Sequence, residues 1–234
     1  MILYPFQGGN TLPFLASLRR GFNLIELLIA IGLTGIVIAG ALGVVTIMGQ
    51  KNKTFTSQQQ LQQELQMTMR LIVQNIRPAG YWSQASTAIG SGQNNNPFMA
   101  PAVNLVIRSD NSCILFAYDR QRLGKIPPIG NSNDERYGYR LMNNILQFRP
   151  SGTPFNCQAA FNQWQNLTDP EKIRIQKLSF VKNEQLASPH LMHRQITITI
   201  QGYLPQKPDI KYQLTKIVAL PNNQFIVEKP DAKP

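Results

Sequence analysis

Residues 22–48 read FNLIELLIAIGLTGIVIAGALGVVTIM, twenty-seven positions with a single charge, Glu26. As a helix the run is roughly 40 Å long, enough to cross the ~30 Å hydrocarbon core of a bilayer. A secretory signal has an apolar region of only ~7–15 residues and a small-residue cleavage site. This run is longer, so it reads as a membrane anchor. Arg19 and Arg20 precede it directly, and positions 1–20 hold no acidic residue. The positive-inside rule then keeps the N-terminus cytoplasmic and exports everything after Met48. Glu26 is the exception in the run. A carboxylate costs about 2.5–3.5 kcal/mol near a bilayer centre, and less near the cytoplasmic end. Spacing alone leaves two readings open: the carboxylate snorkels to the interface, or it pairs with a cation of another chain.

Working outward, no proline occurs between Gly21 and Arg77, and Pro78-Ala79-Gly80 is a helix stop. Past the anchor the sequence turns polar and Gln-rich. Leu61, Leu65, Met69, Ile72 and Ile76 then recur at spacings of 4, 4, 3 and 4, the stripe of an amphipathic helix. The repeat is too short for a coiled coil. The pattern predicts a helix over Phe22–Arg77. Gly32, Gly35, Gly40 and Gly43 weaken its membrane half by up to ~1 kcal/mol each relative to Ala. Gly35/Ala39 and Ala39/Gly43 are small pairs suited to close helix contact.

Composition bounds the remainder. The chain has 234 residues, 23 Lys+Arg and 12 Asp+Glu, a formal net charge of +11, yet only 15% of residues are charged. That is below the usual quarter and excludes an Arg-rich tail protein. Hydrophobic residues make up 43%, with 11 Phe and 7 Tyr, which excludes wholesale disorder. Two Cys and two His exclude a disulfide-dense mini-protein and a multi-Cys zinc module. Residues 79–234 suffice for one domain. Residues 83–103, rich in Ser, Gly and Asn, read as a mobile loop. Strand-like segments follow at Leu105–Arg108, Cys113–Tyr118, Tyr137–Met142, Ile145–Arg149, Ile173–Val181, Gln195–Tyr203 and Tyr212–Leu220. The alternation in Gln195–Gln201 puts Ile196, Ile198 and Ile200 on one face. Asn143-Asn144 is a hairpin signal, and Gly202–Asp209, with two prolines, reads as a link between the last two strands. The expected architecture is α+β: a long N-terminal helix packed through its second half against an antiparallel β-rich head.

Gly21-Phe22-Asn23-Leu24-Ile25-Glu26, after two arginines and before the apolar helix, resembles the type IV prepilin signal. The resemblance implies cleavage after Gly21 by a membrane prepilin peptidase, N-methylation of Phe22, and pairing of Glu26 with the N-terminal ammonium of a neighbouring subunit. It implies a pilin-like fold with a 1–21 leader, a 22–48 transmembrane helix, a 49–78 amphipathic continuation and a 79–234 periplasmic head. Arg77-Pro-Ala-Gly-Tyr-Trp82, Cys113-Ile-Leu-Phe-Ala-Tyr-Asp119 and Glu135-Arg-Tyr-Gly-Tyr-Arg-Leu141 are similar to features of PilW/PpdB-type minor pilins, a group also similar to the J-type minor pseudopilin of type II secretion. The implied partners are the prepilin peptidase/methyltransferase, other minor and major pilins, and the inner-membrane assembly platform. The implied role is structural, at initiation of a filament.

Cys113 and Cys157 both fall in the exported part, where two cysteines as a rule pair. The alternative is two separate buried thiols. A disulfide would close a loop worth roughly 4 kcal/mol in the chain-entropy model. No cofactor is expected. His190-Leu-Met-His193 lacks a third ligand, and Asp119, Asp134 and Glu135 read as solvated turns before they read as a calcium site. Asn166-Leu-Thr168 matches a glycosylation sequon, set aside as coincidental. No nucleophile elbow, phosphate loop or HExxH occurs, so no enzyme is expected. Residues 49–234 carry 21 − 11 = +10. The charges are scattered without a stacking platform, so DNA contact, or a tip adhesin, ranks behind complementarity to acidic subunits or membrane.

Overall fold

A computed structural model describes residues 21, 23–90, 95–131, 133–149, 154–158, 164–188 and 191–225. Helix α1 runs Leu24–Ile76. The chain divides into two compact units, Met1–Asn52 and Lys53–Pro234. In the first unit the described residues from Leu24 are helical, and Leu24–Val45 is apolar and long enough to span a membrane, with none of its surface buried.

The second unit holds the rest of α1 and two antiparallel meanders. One has five strands in sequential order, β1 (Val106–Ile107), β2 (Cys113–Ala117), β3 (Arg136–Met142), β4 (Ile145–Phe148) and β5 (Gln165–Asn166). The other has three, β6 (Arg174–Ser188), β7 (Leu191–Leu204) and β8 (Lys207–Phe225). The sheets are stitched together by Phe180 N donating to Asn111 O (2.9 Å) and Ile175 N donating to Asn144 O (2.8 Å).

The core forms around the helical stripe. Leu61, Leu65, Met69, Ile72 and Ile76 are all buried, in one cluster with Ile114, Phe116, Tyr139 and Leu146 of the first sheet and Leu178, Phe180, Ile196, Ile198 and Ile200 of the second. Burial of each such side chain is worth about 1.5–3 kcal/mol. Two contacts fix the registry. Asn75 Nδ2 donates to the Tyr139 hydroxyl at 2.6 Å. At Gly202 a Cβ would lie 3.3 Å from Leu65 Cδ2 and 3.1 Å from Arg174 O, so β7 has little room for a side chain where Leu65 approaches. Lys207 Nζ also donates to Ser57 Oγ at 2.8 Å, tying β8 to the helix.

The Asn143-Asn144 turn joins β3 and β4 with both residues at positive φ (51° and 62°), the type I′ geometry that matches strand twist. Cys113 and Cys157 are joined as a disulfide, with Cα atoms 6.2 Å apart. It pins residues 154–158 over the second face of the first sheet, where Cys113, Leu115 and Trp164 are buried.

Three expectations need correction. The 83–103 stretch is not simply a mobile loop: it holds α2 (Ala85–Gly90) and a 3-10 turn, Pro97–Met99, capped by Asn96 Oδ1 accepting from Phe98 N. Phe98 and Val103 are buried in one cluster with Ala117, and these apolar contacts anchor residues 97–103. Gly202–Asp209 is not an extended link. Strands β7 and β8 continue to Leu204 and from Lys207, leaving only Pro205-Gln206 as turn. Strands β6–β8 also run well past the apolar segments that signalled them, because ladder pairing extends a hairpin beyond its buried part. Strand β5 and α2 carried no recognised signal.

Replacing Ile72 with Ala is expected to lower unfolding free energy by about 2–5 kcal/mol through cavity formation, whereas Met67→Ala, on the exposed side of the helix, shifts it by less than about 0.5 kcal/mol. Urea unfolding of the purified protein followed by near-ultraviolet circular dichroism measures both; equal losses would contradict the placement of the stripe.

Candidate functional site

Two regions concentrate chemistry. The first is the start of α1. Asn23 O accepts from Glu26 N (2.9 Å) and Leu27 N (3.2 Å), closing the first turn. Gly21 is exposed, and Phe22 lies outside the described residues, as do Arg19 and Arg20. Glu26 stands in the first turn, where its charge complements the positive end of the helix macrodipole. Around it Leu24, Ile25, Leu27, Leu28 and Ile29 are all exposed. At Gly32, Gly35, Gly40 and Gly43 an added Cβ would meet nothing within 4 Å among the described residues, so packing against those residues does not dictate the glycines.

The second region is the end of α1, where Arg77-Pro-Ala-Gly-Tyr-Trp82 meets both sheets. Gly80 adopts φ 78°, and a Cβ there would come within 2.5 Å of Met99 Cε. Its N–H donates to Ala117 O at 2.8 Å, and Tyr81 O accepts from Asp119 N at 2.9 Å. Trp82 Nε1 donates to Gly124 O at 2.9 Å. From the other side Arg194, buried in β7, donates to Asn104 Oδ1 (2.6 Å), Ala79 O (3.4 Å) and Asn222 O. Asn222 Nδ2 donates in turn to Pro78 O at 3.1 Å. A cation and an amide thus satisfy carbonyls where the helix stops. Burial pushes the Arg194 guanidinium down to about 10, still charged at neutral pH.

The acidic residues considered as a metal site are engaged otherwise. The Asp119 carboxylate accepts from Ser83 N (3.0 Å), Ser83 Oγ (2.5 Å) and Gly124 N (3.1 Å). Asp134 pairs with Arg136 (2.9 Å) and Arg149 (2.7 Å). Glu135 Oε1 accepts from Gln121 N at 2.6 Å, while its buried Oε2 has no hydrogen-bond partner among the described residues. Burial, with Asp119 and Asp134 nearby, pushes the Glu135 carboxyl up. Among the described residues no group of three or more His, Cys, Asp or Glu is placed to hold a metal ion. His193 is exposed on β7, and His190 lies outside the described residues. Asn166 sits in β5 and accepts from Gln147 Nε2 at 2.9 Å.

Sequence reasoning missed the buried arginines. Arg140 stacks over Trp164 (4.4 Å to the ring centroid) and donates to Gln147 Oε1 (2.8 Å) and Cys157 O (2.9 Å). Arg149 holds Asp134, Pro154 O and Arg136 O. One signal was available: Arg194 continues the even-numbered, inward face of Ile196, Ile198 and Ile200.

An apolar helix long enough to span a membrane, followed in sequence by a disulfide-bearing antiparallel head, defines an α+β protein with a candidate membrane anchor. Residues 54–220 match the family model of prepilin peptidase-dependent protein B, and the chain belongs to that family. It is similar to an uncharacterized protein of Haemophilus influenzae, 27% identical over 209 residues covering 70% of this chain and 80% of the relative. It is also similar to prepilin peptidase-dependent protein B of Escherichia coli K12, 21% identical over 166 residues covering 71% and 79%. No solved structure matches. The family is prepilin peptidase-dependent and pilin-related.

Because the folded carboxyl of Glu135 is pushed up, the folded state binds its proton more tightly than the unfolded chain. Ionised Glu135 therefore costs stability, and that cost grows as pH rises from the ordinary Glu value through the raised one. Glu135→Gln is expected to raise the melting temperature at pH 7 and leave it near wild type at pH 4. A melting-temperature series over pH 4–8 decides; a loss of stability at pH 7 would contradict it.

Proposed function

We propose that the chain is a minor type IV pilin, matured by prepilin peptidase and built into a filament as it initiates. The observation that carries this reading is Gly21-Phe22-Asn23-Leu24-Ile25-Glu26 placed directly before an exposed apolar span, Leu24–Val45, in a chain of this family. Gly21, with no side chain, offers a peptidase close backbone access. Cleavage between Gly21 and Phe22 creates an ammonium at Phe22, which the same enzyme methylates. Arg19 and Arg20 hold the leader in the cytoplasm until it is removed, and the head lies in the periplasm.

Glu26 supplies the assembly chemistry. A carboxylate and an ammonium in an apolar surround are each costly alone and less so when paired. Glu26 of one subunit therefore receives the Phe22 ammonium of its neighbour, while the exposed Leu24–Val45 surface packs among other anchor helices. The partners are other minor and major pilins and the inner-membrane platform. A minor pseudopilin of type II secretion would use the same chemistry; which pilins co-purify separates the two.

Gly21→Ala is expected to retain the leader, so the protein migrates more slowly than wild type in cells with active peptidase. Glu26→Leu is expected to be processed but to lose co-purification of other pilins from solubilised membranes. Unchanged mobility of Gly21→Ala would overturn processing at that bond, and undiminished co-purification of Glu26→Leu would overturn the pairing.

A further inference from the structure

Among the described residues four strands stand at sheet edges: β1, β5, β6 and β8. Strands β1 and β5 are two residues each, too short to template a partner. Strand β8 carries Pro208, Pro221, Lys207, Lys211 and Lys216, the usual guards of an exposed edge. Strand β6 is long, and its stretch Val181–Leu186 has no proline and one lysine. Phe180 N points away from β7 to reach Asn111 O. The β6–β7 register is unbroken from Lys177 to Leu186. By the alternation of an antiparallel ladder, Lys182, Glu184 and Leu186 likewise direct their backbone groups toward the open side.

We infer that this edge pairs with the same edge of a second copy of the chain, antiparallel and two-fold about Asn183. That register sets Lys182 opposite Glu184 of the second copy and Glu184 opposite its Lys182. It makes both hydrogen-bonded pairs, since both residues present backbone groups outward, and it makes Asn183 a non-hydrogen-bonded pair with itself. Within one chain Lys182 Nζ and Glu184 Oε1 already pair at 3.0 Å, so both charges lie on the same face of β6. Across the two-fold each finds an opposite charge a second time, whereas a parallel pairing in register would set like charges side by side. The edge borders a cleft of about 740 Å³ lined by Leu105, Val106, Ile107, Val181, Lys182 and Glu184. Leu186, 61% exposed, lies on the same face as Lys182 and Glu184. It extends from the second copy toward that cleft just where Asn111 ends the ladder. Strand addition supplies main-chain hydrogen bonds, and the charge pairs set the register.

The test uses the full-length chain in membranes. At the two-fold, facing Cα atoms lie about 4.5 Å apart, within disulfide reach. Asn183→Cys is therefore expected to give a dimer band on non-reducing gels after copper-phenanthroline oxidation, well above that of Gln213→Cys on exposed β8. In the Asn183→Cys background, Lys182→Glu alone or Glu184→Lys alone is expected to lose the band. Co-expressing those two variants with tags of different size is expected to restore it only as the mixed dimer, which repair of the pair within each chain cannot explain. A dimer band no stronger than that of Gln213→Cys would overturn the proposal. So would an adduct to a different protein in its place, insensitivity to the single charge changes, or no mixed dimer.

Discussion

Burial of one helical stripe is the constraint on which the head depends. Leu61, Leu65, Met69, Ile72 and Ile76 give both sheets a common apolar surface. Each meander turns an apolar face to that stripe, and a small sheet gains stability from such a packing partner. The helix supplies it, and the sequence must then end the helix where the sheets converge. Pro78 and Gly80 stop it, and Arg194 and Asn222 satisfy the carbonyls left behind. The same stretch hands the chain to β2 through Gly80 and Tyr81. A packing requirement and a capping requirement are therefore met by one short segment, Arg77–Trp82.

Much of this was legible in the residues. The stripe has the 3.6-residue period, Ile196, Ile198 and Ile200 have the two-residue period, and Asn143-Asn144 are among the few residue pairs that tolerate two positive φ angles. Each signal is local, and local physics decides it. What stayed hidden depends on neighbours distant in sequence. Phe98 and Val103 anchor a stretch that looks like loop because they are buried in one cluster with Ala117. Strand β5 exists because Gln147 and Phe148 of β4 pair with it. The outer lengths of β6–β8 are polar and alternate weakly, so only hairpin pairing extends them. The N-terminal motif is a short run of residue types rather than an assembly of distant ones, so it is read from the sequence alone and its role is a proposal.

The net positive charge changes meaning in the folded chain. Arg140, Arg149 and Arg194 are buried and serve carbonyls, a carboxylate and aromatic rings. They are internal struts, and they contribute little to any surface field. The carboxylates Asp119, Asp134 and Glu135 are spent the same way, on backbone amides and on arginine. Setting these three arginines and three carboxylates aside leaves residues 49–234 at 18 − 8 = +10, and in the proposed assembly the charge with most bearing on function is the negative one at Glu26, at the start of the exposed apolar helix.

That account stands or falls on where the mature chain begins. Intact-mass spectrometry of the protein extracted from membranes, with sequencing of its first residues, measures this directly. The predicted result is a chain starting at Phe22 and carrying one added methyl group on its terminal nitrogen. A chain that still begins upstream of Phe22, or that begins beyond Glu26 within the apolar run, would contradict it.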